Sequence, residues 1–584
     1  MRSVCLYCGC GCALDYIVED GDVRVLPVKD DPASRGKPCV KGLTIGEVLK
    51  AKDRITRPMK RVNGKLVEVG WEEALSEIAD RIRSTKPSRM AFYASSATTN
   101  EVQYIFQKVA RRLGCDNIDS CAVLCHGATV KAMRIAFGIS GMSATMDDLL
   151  KADYILALGT DPYAAYPVVF NRIVEARRKG AKLICVEDAF NNTLKFADEV
   201  FRIKPAAYLQ FALCLSKAIG SEDPVFSRYL NTLDEKELCR DCGIPWQRVE
   251  KLAENLRGKK VAIMMGMAIA QSGFGTENVL ALTNLSIQLG GYFIPMRGKI
   301  NVQGAGDMLC RPMEDGMPAS VFLYSQDIDF YLIMDSNPVK SAPNSSAVRE
   351  NLSRAFTVFI GPFLNETARI SDVVLPGTLL VEENGTVTTA ERRIRKVRRV
   401  LPPPGGKSNF EILLEIAKRA GVRLEERNEE GTWRNIKRDI PTHYSASIDG
   451  FADKRERWKR LVPIMPRKPK FRGFVLTTRR YIYQFTTAEI SSRSATLTKM
   501  APEPIVLMNP EDMEELGIKE KIRIKNELGE LVAKVKPDPL VGRRFLVAPF
   551  HYSTLPVNEI VPLQVDPLSF EPNLKYIEVD VAPA

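Results

Sequence analysis

Short apolar runs alternate with amphipathic segments along much of the chain, and this alternation constrains the fold more than any other feature. Between residues 70 and 220 the helical segments WEEALSEIADRIRS, NEVQYIFQKVARRLG and FNRIVEARRKG are separated by the apolar runs MAFYAS, YILALGT and AKLICVE. Apolar runs of about six residues between helices of about twelve are typical of parallel strands joined by helical crossovers. The pattern predicts an α/β fold.

The alternation returns after residue 260 and then gives way to a different pattern. The runs VAIMMGM, YLIMDSNP, TVFIGPF and DVVLPG precede the helical segment NFEILLEIAKRAG, which predicts a second α/β unit. Residues 425–470 are polar and rich in Trp, Pro and Arg, which predicts a connection of low regularity. From residue 472 the short runs FVLTT, IRIKN, GELVAKVKP and RFLVAPF, with one short helix at PEDMEELG, predict a C-terminal β-barrel-like domain.

Length and composition indicate a large soluble protein. The 584 residues, 45% hydrophobic and 26% charged, are enough for several domains, and no run of eighteen apolar residues is present that could span a membrane. No export signal precedes Cys5, so we expect a cytoplasmic location. Thirteen cysteines are too sparse for a disulfide scaffold in a chain of this length. We therefore interpret the cysteines as metal ligands or buried residues.

The net charge of +12, from 83 basic and 71 acidic residues, could attract nucleic acid, an acidic partner or small anions. The basic residues are spread along the chain rather than gathered with interleaved aromatic residues. Nucleic-acid binding usually needs such a cluster. The sequence therefore argues against a nucleic-acid partner.

Four cysteines near the N-terminus are spaced for a metal cofactor. Cys5, Cys8 and Cys12 lie in VCLYCGCGCALDY and Cys39 follows in KPCVKG, which gives the arrangement C-x2-C-x3-C-x26-C. Thiolates are the soft ligands of iron–sulfur clusters, and this grouping can surround one cubane. Zinc is the alternative, although zinc sites with four cysteines more often use two C-x2-C pairs. The spacing favours a [4Fe-4S] cluster, with Cys10 as a spare thiol or a substitute ligand.

Two other cysteine segments leave more than one interpretation open. Cys125 directly precedes His126 in NIDSCAVLCHGATV, in a chain with only three histidines. A cysteine in such a context is usually a buried packing residue, with a disulfide or a metal ligand as alternatives. Cys239 and Cys242 form CRDC in a helical, acidic stretch. A single C-x2-C pair is a weak metal signal, and a redox pair is the other interpretation.

These segments, taken together with others, resemble the molybdenum or tungsten bis(pyranopterin guanine dinucleotide) oxidoreductases, and within that family the catalytic subunits of formate dehydrogenases. The matching segments keep the family's order over nearly the whole chain. They are the cysteine module with PCVKG, CAVLCHGATV, MGMAIAQSGFGTENVLALTNL, PMRGKINVQGAGDM, DSNPVKSAPN, NETARISDVVLPG, ENGTVTTAERRIRKV, FVLTTRRYIYQF, MNPEDMEELGI and VAPFHYSTLPVNEI.

The resemblance implies roles for four residues. Cys125 would ligate molybdenum or tungsten, and His126 beside it would handle a proton. Arg297 would orient the formate carboxylate, for which a planar bidentate guanidinium is well suited. Lys41, which from its sequence context alone is more simply a solvated lysine, would lie between cluster and pterin.

The resemblance also implies contacts with two molybdopterin guanine dinucleotides. Asp161 stands where the family usually has asparagine, Glu187 and Asp188 replace a guanine-contact segment, and Lys299 replaces a glutamine. His551 could face the cofactor or be a satisfied histidine at a strand end. The candidate cofactor contacts are Lys41, Asp161, Glu187, Asp188, Gln271, Lys299, Asn337, Thr367, Glu391, Arg392, Arg479, His551 and Asn558.

The implied fold is a multidomain α/β protein with two doubly wound, mostly parallel domains. A [4Fe-4S] module is expected at residues 1–56, packing with about 400–468, and a double-psi-like β-barrel at 469–584. One α/β domain would combine residues 57–120 with 301–400, and the other, which carries the metal ligand, would span 121–300.

The implied function is the interconversion of formate and CO2, with electrons leaving through one [4Fe-4S] cluster. No nicotinamide or flavin site is recognisable, so we expect a partner subunit that is ferredoxin-like or rich in iron–sulfur clusters, possibly within a hydrogenase, flavin or disulfide-reductase complex. Another bis-pterin reaction is the alternative, of the formylmethanofuran dehydrogenase or nitrate reductase type. A further alternative is a metal-free electron-relay subunit, although such a subunit would need none of Cys125, His126 and Arg297.

Overall fold

The computed structural model describes residues 1–313 and 315–584, which divide into two compact units. The first unit comprises Met1–Leu124, Arg297–Asp453 and Tyr483–Met500. The second comprises Cys125–Met296, Lys454–Ile482 and Ala501–Ala584. Within the described ranges, none of the helices has the length and apolar character needed to cross a membrane.

A seven-stranded sheet forms the centre of the first unit, and five of its strands are parallel. Their side chains are buried on both faces: Phe92 and Ala94 pack in one core while Ala91 and Tyr93 pack in the other. This burial explains why these strands read as continuous apolar runs. In spatial order the strands are Lys65–Glu68, Met59–Val62, Val373–Pro376, Phe356–Gly361, Phe330–Met334, Met90–Ala94 and Ile118–Ser120.

The first unit also contains two small antiparallel sheets. The cysteine module, which has little periodicity in sequence, forms a three-stranded sheet of Arg2–Val4, Ala13–Glu19 and Asp22–Pro27. Gly385–Thr388 pairs with Ile394–Val397. The α-helices of this unit are Val40–Leu43, Ile45–Leu49, Trp71–Ser84, Asn100–Arg112, Val302–Asp307, Ala319–Phe322, Pro338–Ser341, Ser345–Arg354, Glu366–Ile370, Asn409–Arg419, Glu429–Asp439 and Ala495–Met500.

The second unit has a fully parallel five-stranded sheet and a closed barrel. The sheet order is Glu199–Arg202, Lys182–Glu187, Tyr154–Leu158, Val261–Met265 and Tyr292–Pro295. The six barrel strands, in order, are Phe474–Arg479, Phe545–Pro549, Ile505–Met508, Gly529–Pro537, Lys521–Asn526 and Ile577–Pro583. The α-helices are Pro162–Ala165, Pro167–Arg178, Tyr208–Ile219, Pro224–Thr232, Glu235–Cys242, Trp246–Leu256, Met267–Ala270, Gly275–Gln288 and Pro510–Glu515, and Val123–Phe137 begins in the first unit.

Both parallel sheets are doubly wound, as predicted, and each therefore has a point at which the strand order reverses. In the first unit this point lies between Met90–Ala94 and Phe330–Met334. In the second it lies between Tyr154–Leu158 and Val261–Met265. Ligands of open α/β sheets bind beyond the carboxyl ends of the strands at such points. The two reversals therefore mark the places to look for bound cofactors.

Two expectations drawn from the apolar pattern alone need correction; the domain bounds implied by the resemblance, which join 57–120 with 301–400, are not among them. The strand Val261–Met265, which follows the first alternating block, joins the sheet of that block, whereas Met90–Ala94 pairs with Phe330–Met334 from the second block. The region 425–470 is not wholly irregular, because Glu429–Asp439 is a helix whose first turn is capped by the Asn428 side chain. Only Thr432 and Ile436 of this helix are buried, too few positions to produce an obvious helical periodicity in sequence.

Candidate active site

The four N-terminal thiols of the predicted cluster motif converge in the first unit. Cys5, Cys8 and Cys12 are buried and Cys39 is half-buried. Burial raises the pKa of Cys5, and the neighbouring Cys39 and Cys8 raise it further; burial and then Cys5 and Cys8 do the same for Cys12. Four thiolates at this place therefore need the positive charge of iron.

The four thiols match the ligand number of one [4Fe-4S] cubane. A [4Fe-4S] cubane is several atoms across, so its four thiolates stand further apart than the ligands of one ion. Cys10 is buried in the same loop.

Lys41 lies in the short helix that Cys39 caps, and it is not a solvated surface residue. Its relative exposure is 1%. Its charge lowers the pKa of Cys5, against the larger effect of burial. A buried ammonium beside a group of thiols fits an anionic cluster with thiolate ligands.

The segment that carries Arg297 is tied by backbone hydrogen bonds to the cysteine loop. The Gly9 N–H donates to the Gly298 carbonyl at 3.2 Å, and the Ile300 N–H donates to the Tyr7 carbonyl at 2.7 Å. A Cβ at Gly9 would lie 2.8 Å from the Arg297 carbonyl oxygen, so only glycine allows this approach. Arg297 itself is 2% exposed.

Lys299 lies at the strand-order reversal of the first sheet. Its Nζ donates to Ser95 Oγ at 2.6 Å, and Ser95 directly follows the strand Met90–Ala94. Asp335 follows the neighbouring strand, and burial raises its pKa to about 7 while Lys299 partly opposes the rise. Lys299, Asp335 and Glu489 line a small cavity of about 20 Å³. One cation, Lys299, and two carboxyl groups, Asp335 and Glu489, therefore lie where the reversal of strand order predicts a bound ligand.

Asn337 and Thr367 are brought together at the same end of the sheet. Asn337 Oδ1 accepts the Thr367 hydroxyl at 2.9 Å, and Asn337 Nδ2 donates to Glu366 and Glu489, each at 2.7 Å. These hydrogen bonds use both the oxygen and the nitrogen of the Asn337 side chain, which therefore links the segments that carry Thr367 and Glu489.

Glu391 and Arg392 occupy the turn of the small two-stranded sheet. Arg392 has a φ of +65°, an uncommon backbone for a side chain of this size, and is 1% exposed. Its Nη2 lies 3.7 Å from Asp307 Oδ2, and its Nε has no hydrogen-bond partner among residues 1–313 and 315–584. The Ala390 N–H beside it donates to the Gly9 carbonyl at 2.7 Å, which joins this turn to the cysteine loop.

In the second unit, a break in the helix Val123–Phe137 shapes the Cys125–His126 segment. His126 has φ −146° and ψ 17°, outside the helical range, and is 1% exposed. Cys125 Sγ lies 3.7 Å from Met267 Sδ, just beyond the strand Val261–Met265. After the break, the Ala128 N–H donates to Glu571 Oε2 at 2.7 Å. The break thus brings Cys125 to the strand-order reversal of the second sheet.

The carboxylates predicted to contact guanine are engaged by protein donors. Glu187 accepts the Thr160 N–H at 2.8 Å and the Tyr208 hydroxyl at 3.2 Å. Asp188 accepts the hydroxyls of Tyr208 at 3.0 Å and Tyr576 at 2.7 Å. Burial raises the pKa of both carboxyl groups. This pair forms a carboxylate–tyrosine network at the end of the strand Lys182–Glu187.

Asp161 is likewise occupied, since it caps the helix Pro162–Ala165. Its Oδ1 accepts the Thr193 hydroxyl at 2.6 Å, and its Oδ2 accepts the Asn192 N–H at 3.2 Å. It holds the loop that follows the strand Tyr154–Leu158. Gln271 lies on the opposite side of the same reversal, after Val261–Met265, and its carbonyl accepts the Leu574 N–H at 3.2 Å.

A cavity of about 880 Å³ opens in the second unit beside this network. Ser272, Gly273 and Tyr576 line it together with the basic segment 467–471. Its volume lies in the range of cofactor and small-molecule sites. Basic side chains, hydroxyls and aromatic rings fit the pyrophosphate and bases of a pyranopterin dinucleotide.

The barrel contributes three of the predicted cofactor contacts. Arg479 is half-buried against the rings of Phe190 and Tyr481, and its Nη1 has no hydrogen-bond partner in the described part of the chain. Burial lowers the pKa of Arg479, so an anion beside it would be stabilising. His551 Nε2 accepts the Tyr481 N–H at 3.0 Å, which fits the interpretation of a satisfied histidine at a strand end. Asn558 is buried in the turn Val557–Ile560.

Sequence reasoning missed Lys575. Its ammonium is buried and donates to Thr478, to the carbonyl at 2.6 Å and to the hydroxyl at 2.9 Å. Burial lowers its pKa to about 7, and the electrostatic effect of Cys125 opposes that shift. The sequence signal for Lys575 was weak: one lysine between Leu574 and Tyr576, just before the strand Ile577–Pro583.

Sequence profiles of known protein families match three successive parts of the chain. The sequence profile of the molybdopterin oxidoreductase family matches residues 54–419. The profile of the molybdopterin oxidoreductase Fe4S4 domain matches residues 1–50, and that of the molybdopterin dinucleotide binding domain matches residues 474–578.

Individual proteins resemble the chain over its whole length. It is 29% identical to the F420-dependent formate dehydrogenase subunit alpha of Methanocaldococcus jannaschii, covering 100% of the chain and 99% of the relative. The F420-dependent formate dehydrogenase 2 subunit alpha of Methanococcus maripaludis is 27% identical with the same coverage. Acetylene hydratase from Pelobacter acetylenicus has the same fold, with a TM-score of 0.83, 15% identity and 100% coverage of both chains.

The residues present fit the cofactors of these profiles. The converging thiols suit a [4Fe-4S] cluster, and the buried cations with the large cavity suit anionic dinucleotides. The chain therefore belongs to the molybdopterin oxidoreductases, a family of enzymes. The Fe4S4 domain of the family lies at the N-terminus of this chain, and its dinucleotide-binding domain is the C-terminal barrel.

Proposed function

We propose that the chain is the catalytic subunit of a formate dehydrogenase, interconverting formate and CO2 at a molybdenum or tungsten centre. The observation that carries the proposal is similarity over 99% of the length of relatives named formate dehydrogenase subunit alpha. The presence of Cys125, His126 and Arg297 together supports it, because a subunit that only relays electrons needs none of these side chains.

Arg297 is the proposed substrate-binding residue. Its guanidinium is carried by a buried segment whose backbone is hydrogen-bonded to Gly9 and Tyr7 of the cysteine loop. A planar guanidinium can donate two parallel N–H bonds to the two oxygens of a small carboxylate. Formate would thereby be held in one orientation rather than free to rotate.

Cys125 and His126 are the proposed ligand and proton carrier. When bound, the metal with its pyranopterin dithiolenes accepts two electrons from the substrate. Cys125 Sγ would be the protein ligand, and the buried His126 ring would hold the proton released by formate. His126 Nδ1 lies 3.5 Å from Thr129 Oγ1.

The cluster and Lys41 form the proposed exit for electrons. The four cysteines would hold the cluster, and the buried ammonium would stabilise its negative charge. We infer that a partner subunit, ferredoxin-like or rich in iron–sulfur clusters, accepts the electrons within a larger hydrogenase, flavin or disulfide-reductase complex. Since the relatives are named F420-dependent, a partner that reduces F420 is the first to test.

The proposal is tested by metal content and activity measured on one sample. We expect molybdenum or tungsten together with iron, formate-dependent reduction of a viologen dye, and no nitrate-dependent oxidation of the reduced dye. Cys125→Ala should abolish formate oxidation while iron content is retained. Iron without molybdenum or tungsten, or turnover of nitrate instead of formate, would contradict the proposal.

A further inference from the structure

Three thiols that take no part in the proposed catalysis meet in the helical part of the second unit. Cys214 lies in the helix Tyr208–Ile219, and Cys239 and Cys242 lie in the helix Glu235–Cys242. Cys214 Sγ is 3.8 Å from Cys239 Sγ, which is van der Waals contact between sulfur atoms. The CRDC pair seen in the sequence thus has a third member, 25 residues earlier in the chain.

From this geometry we propose that Cys214, Cys239 and Cys242 form a redox modification site that reacts with low-molecular-weight disulfides and closes a Cys214–Cys239 disulfide. The three thiols differ in access. Cys239 is half-buried and can meet a small disulfide from solvent, whereas Cys214 and Cys242 are fully buried. The small disulfide therefore reacts first at Cys239, and the thiol that then bonds to Cys239 must be one of the buried thiols.

Cys214 is placed to be the resolving thiol. A disulfide needs its sulfur atoms about 2.0 Å apart, so closure from 3.8 Å requires an approach of less than 2 Å. Cys239 and Cys242 are less suited to pair with each other, because both belong to one continuous helix whose backbone would have to distort. Two helices joined through facing side chains can shift by the required amount more easily.

Cys242 lies close to the other two thiols, at the end of its helix. Its Sγ is 3.6 Å from the Cys239 carbonyl oxygen. Gly243, with a left-handed backbone, ends the helix there, and the Cys242 carbonyl accepts the Lys204 N–H at 3.0 Å. Cys242 is therefore the third thiol of the site and the alternative partner that the peptide map must exclude.

The reaction balances with one small disulfide, RSSR, as oxidant. The Cys239 thiolate attacks one sulfur of RSSR, which forms a Cys239–SR bond, breaks the S–S bond and releases one RS⁻ that takes up the Cys239 proton. Cys214 then attacks Cys239 Sγ; the Cys214–Cys239 bond forms, the Cys239–SR bond breaks, and the second RS⁻ leaves with the Cys214 proton. Two protein thiols are oxidised and one RSSR is reduced to two RSH.

The tryptic map of the chain makes the test direct. Cleavage after Lys236 and Arg240 separates the thiols into three peptides, 203–217 with Cys214, 237–240 with Cys239 and 241–248 with Cys242. The cofactor-loaded protein is treated anaerobically with oxidised glutathione and quenched with acid, its remaining thiols are alkylated under denaturing conditions, and the peptides are analysed by mass spectrometry. We expect 203–217 to be linked to 237–240, and the link to be lost after dithiothreitol.

Variants assign the roles of the three thiols. Cys214→Ser should leave Cys239 as a stable glutathione adduct, because the resolving thiol is gone, and Cys239→Ser should prevent both adduct and link. Cys115→Ser, at a buried thiol of the first unit, should keep the wild-type link. A link between 237–240 and 241–248, or a persistent glutathione adduct on wild-type Cys239, would overturn the proposal. The peptide map of the wild-type protein tests the Cys214–Cys239 link even if a variant folds poorly.

Discussion

At the scale of single residues, the chain buries charged side chains that a purely structural protein would avoid. Lys41, Arg297 and Arg392 are each no more than 2% exposed. Removing an ammonium or guanidinium from water costs several kcal/mol unless an opposite charge compensates it. Under the proposed function, anionic cofactors and an anionic substrate would add to the compensation that the protein itself supplies, such as Asp307 beside Arg392.

Arg297→Lys tests the substrate role. A lysine keeps the charge but cannot donate two parallel bonds, so we expect kcat/KM for formate to fall roughly 10- to 100-fold, consistent with loss of one charged hydrogen bond. Metal content should stay at the wild-type level. Arg112→Lys, at an exposed position of the helix Asn100–Arg112, is the matched control and should have wild-type kinetics. An unchanged kcat/KM in Arg297→Lys would remove the residue from substrate binding.

His443 should make the stability of the first unit depend on pH. Its ring is buried between the hydroxyls of Thr388 and Thr442, and burial lowers its pKa from 6.5 to about 4. A histidine whose folded pKa lies below its unfolded value adds stability above pH 6.5, and that stability is lost as the pH falls toward 4. The loss between pH 7.5 and pH 5 should be about 2 kcal/mol.

The comparison of His443→Gln with wild type isolates this contribution. Glutamine can bond both hydroxyls without titrating, so urea unfolding at the two pH values should show a smaller loss in the variant. Tyr444→Phe, at the exposed neighbouring position, should retain the wild-type pH dependence. Equal losses in wild type and His443→Gln would mean that the ring is not kept neutral by burial.

At the scale of elements, the two strand-order reversals position the candidate site. Cys125 reaches one of them because its helix breaks at His126, and Lys299 reaches the other through Ser95. The sequence predicted strands and helices through their apolar periodicity. It could not predict the break, because residues 123–137 contain neither Pro nor a Gly at the broken position.

Gly266→Ala tests the reversal in the second unit. A Cβ at Gly266 would lie 2.3 Å from the Gly159 carbonyl oxygen, where the two strand ends meet. We expect the substitution to push these ends apart, lowering thermal stability and the content of pterin dinucleotide measured after acid release. Gly542→Ala, with no atom near the added Cβ, should behave as wild type. Wild-type dinucleotide content in Gly266→Ala would show that cofactor binding does not depend on this close approach.

At the scale of the whole molecule, each unit is assembled from separate stretches of the chain. The first unit takes residues from three stretches, and so does the second. The cluster thiols and Arg297 belong to the first unit, whereas Cys125 and the dinucleotide-sized cavity belong to the second. A substitution that removes the cofactor of one unit can therefore be tested for its effect on the cofactor content of the other unit in a single sample.

Cys39→Ser makes that comparison. Loss of one thiolate should remove iron from the N-terminal module, and electrons should no longer leave, so formate-dependent dye reduction should fall sharply. Molybdenum or tungsten should remain, because its proposed ligand Cys125 lies in the other unit. Cys115→Ser is the control and should keep both iron and activity. Retention of the full iron content in Cys39→Ser would point to Cys10 as the substitute ligand.

Local patterns in the sequence were enough to predict most strands and helices, the cysteine motif and the family, because apolar periodicity and close spacing can be read without knowledge of tertiary contacts. The strand pairing came from the tertiary structure: Met90–Ala94 pairs with Phe330–Met334 through contacts that no local pattern encodes, although the family resemblance had grouped 57–120 with 301–400. It also decided which polar groups are already satisfied. Glu187 and Asp188 are bonded to tyrosines, Lys575 is buried, and Cys214 meets the CRDC pair, all through neighbours remote in sequence.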